Sequence, residues 1–288
     1  METKELLKKV KKIEIKTRRL SNHLFSGQYH SSFKGRGVTF SEVRPYQYGD
    51  DFRAIDWNVT ARNNDTYIKV FEEERELTLL LMVDCSASQS FGSSLQNKNE
   101  IIAEIAATLA FSATQNNDKI GLVLFSDQVE LFIPPKKGKT HVLRIIRELV
   151  EWQPKSNKTA IHLALEFVSQ VMKKKAILFL ISDFRDSNYQ KSLQIAAKKH
   201  DVTGIRVYDK REQHLPNLGL ISVVDAETNA HIWLDTQSPE VRHAYENEFK
   251  TQEAYCFSAF SKCGAGLVNT HTEESYVSKL LTYFKSRS

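Results

Sequence analysis

Three oxygen-bearing side chains follow one short apolar segment at alternate positions of the chain. Asp84, Ser86 and Ser88 form the pattern D-x-S-x-S, which begins at the last residue of the apolar run 76–84. Such a run predicts a buried strand, and a loop that leaves a strand tip can direct alternate side chains toward one point. Carboxylate and hydroxyl oxygens are the ligands that hard divalent cations such as Mg²⁺ prefer. The pattern therefore indicates a metal site.

Two further oxygen donors are expected at the same place. Thr159 opens a predicted helix, and Asp183 ends a predicted strand. Parallel strands end at the same edge of a sheet, so we expect one cation site formed by Asp84, Ser86, Ser88, Thr159 and Asp183. With no cation bound, the two carboxylates should repel each other and raise the pKa of one or both. The alternative is that the serines and Thr159 only cap the helices that follow them; the order of the five residues along the chain favours the metal site.

The elements that must position these residues alternate along the chain from residue 76 onward. This alternation predicts a doubly wound α/β fold, with a mostly parallel sheet and helices on both faces. In such sheets, ligands bind outside the carboxyl ends of the strands, near the point where the strand order reverses. The strands are predicted at 76–84, 119–127, 175–183 and 202–209, and the helices at 99–115, 139–151, 159–173 and 189–199.

Smaller parts adjoin this core, which we take as residues 76–210. Residues 1–20 predict a basic amphipathic helix, and residues 21–75, which glycines punctuate, predict a small β-rich addition. Residues 211–288 predict a hairpin, helices and a last strand that complete the domain.

Composition excludes several classes of protein. Of the 288 residues, 41% are hydrophobic and 26% are charged, which is typical of globular proteins. The apolar runs are too short to span a bilayer, the three cysteines lack C-x-x-C spacing, and no secretory signal is visible. We therefore expect a cytoplasmic protein. The sequence also lacks the P-loop, dinucleotide-binding and serine-hydrolase motifs.

The net charge of +5 resides in the first twenty residues. That segment holds eight basic and three acidic side chains, so the rest of the chain is neutral. Without interleaved aromatic residues, this segment does not predict nucleic-acid binding. A helix with a solvated basic face is the simpler interpretation; peripheral contact with anionic lipid or an acidic partner is the alternative.

A second region carries a longer and more specific pattern. Residues 34–76 contain G-R-G-x-x-F, R-x-Y-x-x-G-D-D-x-R-x-I-D-W and a later A-R. Together with the D-x-S-x-S loop, these segments resemble a bacterial family of domains of unknown function, family 58. That family is von Willebrand factor A-like and associated with MoxR-type AAA+ ATPases. The resemblance covers about residues 15–285, and it implies that the five oxygen donors form a metal-ion-dependent adhesion site.

Two positions depart from the usual pattern of such sites. Gln89 stands where methionine is common, and it is expected to affect packing only. The loop before the predicted helix reads SNKTA instead of a glycine-rich sequence, so the backbone near Thr159 is expected to approach a cation less easily.

The signature segment mixes arginine, acidic and aromatic residues. Arginine and aromatic residues are typical anchors of protein interfaces, so the segment could bind a partner. The acids nearly balance the arginines, which favours instead an internal ion-pair network that clamps the segment onto the sheet. The residues considered for either role are Arg36, Arg44, Asp50, Asp51, Arg53, Asp56 and Trp57.

These observations favour a non-enzymatic binding module. Three of the five predicted ligands are neutral hydroxyls, so a bound Mg²⁺ (or Mn²⁺ or Ca²⁺) would keep positive charge and accept a carboxylate from a partner. The family resemblance implies that the partner is a MoxR-type AAA+ ATPase or its client, in chaperone-like assembly or maturation of other proteins. The alternative is a Mg²⁺-dependent phosphohydrolase with Asp84 as nucleophile. It is disfavoured because Ser86 stands where a second acid would act as general acid or base.

Overall fold

The computed structural model describes residues 37–62, 65–74, 77–90, 97–224 and 230–287. The predicted basic helix at residues 1–20 and the candidate residue Arg36 lie outside these ranges. By their contacts, the described residues fall into two compact units, which divide between Leu77 and Thr78.

The smaller unit is a two-stranded ribbon with two short helical turns. Strand β1 (Gly37–Pro45) pairs antiparallel with β2 (Tyr67–Glu74), and the pairing contains one β-bulge. Between the strands lie a 3-10 turn, Phe52–Ala54, and the short helix α1, Trp57–Thr60. Where it is described, the predicted β-rich segment is indeed built on strands.

The larger unit alternates strands and helices. Its strands within the described ranges are β3 (Thr78–Asp84), β4 (Lys119–Phe125), β5 (Val129–Lys136), β6 (Ile177–Ser182), β7 (Asp201–Tyr208), β8 (Leu220–Val224), β9 (His231–Asp235) and β10 (Gly266–His271). Its helices there are α2 (Lys98–Gln115), α3 (Lys139–Glu151), α4 (Ile161–Val171), α5 (Gln190–Lys199), α6 (Pro239–Cys263) and α7 (Tyr276–Arg287). Across the described part of the chain, no helix has the length and apolar character needed to span a bilayer.

Six of these strands form one sheet, in the order β10-β7-β6-β3-β4-β5. Neighbouring strands are parallel, except that β5 runs antiparallel to β4. Strands β8 and β9 pair separately as a second hairpin. The doubly wound, mostly parallel α/β fold predicted from the sequence is confirmed.

Helices cover both faces of this sheet. Leu80 and Met82 of β3 belong to a buried cluster that includes side chains of α4, α5 and α6. On β6, Phe179 alternates with two members of that cluster and therefore points to the opposite face. There its ring meets Phe284 of α7, with the ring centroids 6.2 Å apart. Burial on both faces explains why the central strands are continuously apolar.

The strand order reverses at β3. The chain leaves β3 through α2 toward β4 on one side, and it leaves β6, on the other side of β3, through α5 toward β7. The loops after β3 and β6 therefore part in opposite directions. This divergence opens a crevice at the carboxyl ends of these two strands, where ligands bind in sheets of this kind.

We expect Gly204→Ala to destabilise the larger unit. A Cβ atom on Gly204 of β7 would overlap Cζ of Phe260 and lie 2.6 Å from its Cε1, and overpacking of this kind typically costs about 1–3 kcal/mol. Urea unfolding measures the loss. In a Phe260→Leu background the same substitution should cost less, because the overlapping ring is gone; an equal cost in both backgrounds would contradict this explanation.

Candidate metal centre

Two carboxylates meet at the crevice between β3 and β6. Asp84 is the last residue of β3, and Asp183 directly follows β6. Both residues are buried, with 1% and 2% of their surfaces exposed. Ser182, the last residue of β6, donates its hydroxyl proton to Oδ2 of Asp84 at 2.6 Å. The parallel strands therefore bring Asp84 and Asp183 to one edge of the sheet.

The serines of the loop after β3 turn toward these carboxylates. The backbone N–H of Ser86 donates to Oδ1 of Asp84 at 2.9 Å, and the hydroxyl oxygens of Ser86 and Ser88 are 3.1 Å apart. The Ser88 side chain is also close enough to Asp183 to help lower the pKa of that carboxyl. Adjacent ligands of an octahedral Mg²⁺, each about 2.1 Å from the ion, would be about 3.0 Å apart. The spacing of the two hydroxyls fits a shared cation.

The loop that carries Thr159 lies beside these residues. Ala87 N donates to Asn157 O at 3.3 Å, and Ala160 N donates to Ser126 O at 2.9 Å. These backbone bonds join the loop to the segments that follow β3 and β4. Among the described residues, hydrogen bonds link Asp84, Ser86 and Ser88 with one another, and the hydrogen bonds of this region do not include the Thr159 hydroxyl.

The loop after β6 has an unusual backbone and serves two elements. Phe184 adopts a left-handed conformation with φ of 57°, which is costly for a bulky residue. Its buried ring packs edge-on against Phe260, with centroids 5.2 Å apart, and this packing holds the conformation. Two residues later, Asp186 Oδ2 accepts a hydrogen bond from Ile161 N at 2.8 Å, at the start of α4. The alternative in which Thr159 caps α4 is therefore wrong.

Gln89 takes part in the centre, so the expectation that it affects only packing is wrong. Its Nε2 donates to Oδ2 of Asp84 at 3.2 Å and to Oγ of Ser88 at 3.3 Å. The residue is fully buried, and its Oε1 has no hydrogen-bond partner among the described residues. Methionine has no amide donor, so this departure from the usual pattern changes the hydrogen bonding of Asp84 itself.

A buried lysine supplies positive charge that sequence reasoning missed. Nζ of Lys98 lies 3.0 Å from Oδ2 of Asp183 and 2.8 Å from Oε1 of Glu212. Nη1 of Arg185 lies 3.5 Å from the same oxygen of Glu212. A single lysine at the start of a helical pattern is typical of a solvated position, so periodicity and spacing carried no signal for this contact.

The two carboxylates have opposite pKa shifts. Burial, and secondarily the negative charge of Asp183, raise the pKa of Asp84 to about 6, against the effect of its hydrogen bonds with Ser182 and Ser86. Burial alone would also raise the pKa of Asp183, but the charge and hydrogen bond of Lys98 hold that pKa below its usual value. The expected rise therefore falls on Asp84 alone, because its hydrogen-bond donors are neutral.

The donor chemistry of the centre is that of a hard-cation site. Across the described ranges, His, Cys, Asp and Glu side chains form no group of three or more that could hold a metal. A cation at this edge would depend on two carboxylates together with hydroxyls. Such oxygen sets suit Mg²⁺, Mn²⁺ or Ca²⁺ better than softer metals.

The signature segment uses its acidic residues within the smaller unit. Arg44 forms a two-point ion pair with Asp50, with Nη2 2.7 Å from Oδ1 and Nη1 2.8 Å from Oδ2. Asp51 accepts a hydrogen bond from Arg53 N, and Asp56 accepts from the backbone at the start of α1. These contacts form an internal network of ion pairs and hydrogen bonds within the smaller unit.

The aromatic residues of the same segment are exposed. Phe52 and Trp57 each have 69% of their surface accessible, and Tyr48 is fully exposed. The guanidinium of Arg53 lies 5.8 Å from the centre of the Phe52 ring. Exposed aromatic residues beside an arginine are typical of interface anchors. The hypothesis that this segment binds a partner therefore still stands for these residues.

A doubly wound sheet with a D-x-S-x-S loop and a second aspartate at its switch point is the arrangement expected of a von Willebrand factor A-like domain. The signature of the smaller unit narrows this class further. Residues 42–255 match the family described as "Protein of unknown function DUF58", and the chain belongs to that family. The family assignment made from the residues is confirmed.

Relatives of this chain are known in sequence and in structure. It is 25% identical over 278 residues to "Uncharacterized protein Rv1480" of Mycobacterium tuberculosis (strain ATCC 25618 / H37Rv), covering 96% of this chain and 87% of the relative. It is similar to the crystal structure of an aerotolerance-related membrane protein from Bacteroides fragilis NCTC 9343, with a TM-score of 0.48, 12% identity, and coverage of 73% of this chain and 99% of that chain. The SpRpn10 VWA domain matches with a TM-score of 0.39 and 11% identity, covering 72% and 94% of the two chains. These structural likenesses are distant, and the chemistry of the centre rests on this chain's own residues.

Asp84→Asn should change how the stability of the protein in EDTA depends on pH. Asp84 has a pKa of about 6 in the folded protein, against an ordinary value of 3.8, so the folded state holds this proton more tightly than the unfolded state. The stability contributed by the protonated residue is complete below about pH 4 and is lost as the pH rises through about 6. The variant lacks this loss, so its free energy of unfolding relative to the wild type should improve between pH 4 and 7, by at most about 3 kcal/mol.

Urea unfolding of both proteins at the two pH values measures this difference. Glu151→Gln is the matched control, because it removes a carboxylate whose side chain is 47% exposed. Parallel pH dependences of the wild type and Asp84→Asn would contradict the prediction.

Proposed function

We propose that this chain is a divalent-cation-dependent protein-binding module. The observation that carries the proposal is the cluster of Asp84, Ser86, Ser88 and Asp183 at the switch point of the sheet. Asp84 is a buried carboxylate whose hydrogen bonds come from neutral donors, so its charge would be neutralised by a cation. The hydroxyl pair beside it has the spacing of adjacent Mg²⁺ ligands.

The cation would be held by side chains from three segments. Asp84, Ser86 and Ser88 would bind it from the loop after β3, Asp183 from the loop after β6, and Thr159 from the loop before α4. When bound, the ion would supply a Lewis-acidic position that attracts an external carboxylate. We propose Mg²⁺ first, with Mn²⁺ and Ca²⁺ as the other hard cations that suit such ligands.

Binding fits the surrounding residues better than catalysis does. Ser86 cannot act as a general acid or base at neutral pH, as a phosphohydrolase based on Asp84 would require. Cys85, within the same loop, is held by a hydrogen bond from its Sγ to Phe125 O at 3.1 Å. Burial raises the pKa of this thiol far above its usual value, so Cys85 is not a thiolate nucleophile.

For the partner, we propose a MoxR-type AAA+ ATPase or its client, acting in the cytoplasm in assembly or maturation of other proteins. This part of the proposal rests on the family resemblance of the signature segment and the D-x-S-x-S loop. The chemistry required of the partner follows from the centre: it must present an aspartate or glutamate to the bound cation. The exposed aromatic residues around Trp57 offer a second contact of the type that anchors interfaces.

We expect Mg²⁺ to stabilise the wild type but not Ser86→Ala/Ser88→Ala. A ligand that binds only the folded state at about 100 times its Kd adds about 2.7 kcal/mol of stability; without the hydroxyls, this gain should largely disappear. Thermal melts in EDTA and in millimolar Mg²⁺ measure the difference, with the exposed Ser278→Ala as the control for loss of a hydroxyl. Equal Mg²⁺-dependent shifts in the wild type and the double variant would remove the serines from the proposed site.

Partner capture should depend on the cation in the same way. A purified MoxR-type AAA+ ATPase should be retained by the immobilised wild type in Mg²⁺ and released by EDTA, because no cation then remains to bind its carboxylate. Ser86→Ala/Ser88→Ala should retain little in either buffer. Retention that EDTA leaves unchanged would show that any such interaction does not use the centre.

A further inference from the structure

Lys98 is a buried ammonium group at a position where its own helix disfavours a cation. It lies in the first turn of α2, beside the positive end of the helix dipole. Its side chain has 0% exposure, and lysine is almost never fully buried unless it is paired. The helix itself therefore does not explain why a buried lysine stands at this position. Its two carboxylate partners do explain it.

One of those partners is a proposed cation ligand and the other lies outside the centre. Nζ of Lys98 donates to Asp183 Oδ2 at 3.0 Å and to Glu212 Oε1 at 2.8 Å. Glu212 is itself fixed, because its Oε2 accepts from Asp209 N at 2.9 Å in a capping box after β7. The ammonium group of Lys98 thus interacts both with the centre, through Asp183, and with the rigid turn beside it, through Glu212.

We propose that Lys98 is a positioning residue that sets the cation affinity of the centre by competing for Asp183, and that Glu212 sets how strongly it competes. The inference rests on the proposed function, since it requires a divalent cation at Asp84 and Asp183. A carboxylate beside a fixed cation typically binds a proton about 10- to 1000-fold more weakly. The same repulsion acts on Mg²⁺ or Mn²⁺.

The competition has a consequence for regulation. A centre weakened by Lys98 binds a cation less tightly on its own than it would without the lysine, and a carboxylate added by a partner supplies further negative charge. Cation and partner therefore raise each other's affinity, as linkage between two ligands requires. The lysine makes the module respond to both ligands together.

Two substitutions that break the same ion pair have opposite expected effects on cation affinity. Lys98→Met removes the competing charge, so Mn²⁺ should bind at least about 10-fold more tightly. Glu212→Gln keeps a hydrogen-bond acceptor but removes one of the two negative charges that lie beside the ammonium group. More of the lysine's charge then acts on Asp183, so Mn²⁺ should bind more weakly than in the wild type. If Lys98 only maintained the fold, both substitutions would weaken binding.

Isothermal titration calorimetry of the full chain with Mn²⁺ measures these dissociation constants, and electron paramagnetic resonance of free Mn²⁺ gives a second readout. If Lys98→Met does not fold, Lys98→Met/Glu212→Gln removes one charge of each sign and should still bind more tightly than the wild type. Lys210→Met is the matched control. It breaks the surface pair of Lys210 and Glu273, which are 2.8 Å apart, and should leave the dissociation constant unchanged.

Each outcome decides the inference. Tighter binding by Lys98→Met with weaker binding by Glu212→Gln supports it. Binding by Lys98→Met but not by the wild type also supports it, and means that the lysine keeps the cation out until a partner arrives. If the wild type binds Mn²⁺ and Lys98→Met binds no more tightly, the inference is overturned and the proposed function stands. If none of these proteins binds Mn²⁺, both are overturned.

Discussion

Burial of two carboxylates side by side at the switch point is the constraint on which the rest of the centre depends. Removing an ionised carboxylate from water is costly unless hydrogen bonds or a counter-charge compensate. The protein meets this cost differently at the two positions: Asp84 receives neutral donors, including Ser182 and Gln89, whereas Asp183 receives the ammonium group of Lys98. The asymmetry leaves unbalanced negative charge on Asp84, where an incoming cation would act most strongly.

The same charges organise the elements around the crevice. Lys98 connects the first turn of α2 to the loop after β6 through Asp183, and to the turn after β7 through Glu212. The start of α2, which follows the D-x-S-x-S loop, is thereby fixed to two strands across the reversal point. A change in the charge of the centre would act on these three segments together.

Much of this architecture follows from the sequence, because buried parallel strands are continuously apolar and the ends of β3 and β6 carry the acids. The order of Asp84, Ser86, Ser88 and Asp183 was enough to predict a common edge. Lys98 was not predictable, because its partners lie 85 and 114 residues away and helical periodicity places a lone lysine in solvent. The amide contacts of Gln89 depend on the path of its loop, and local pattern does not specify that path.

The short loop after β6 has two roles, one at the centre and one at the start of α4, and both depend on its length. Asp183 faces the centre, Phe184 holds its left-handed backbone by inserting its ring into the core, and Asp186 caps α4. If a single residue were inserted or deleted between 183 and 186, Asp183 and Asp186 could no longer both keep their positions. The ring of Phe184 would also move out of the core. Homologues should therefore have no insertions or deletions within these four residues. Their length differences should fall in other loops, which do not carry both a cation ligand and a helix cap.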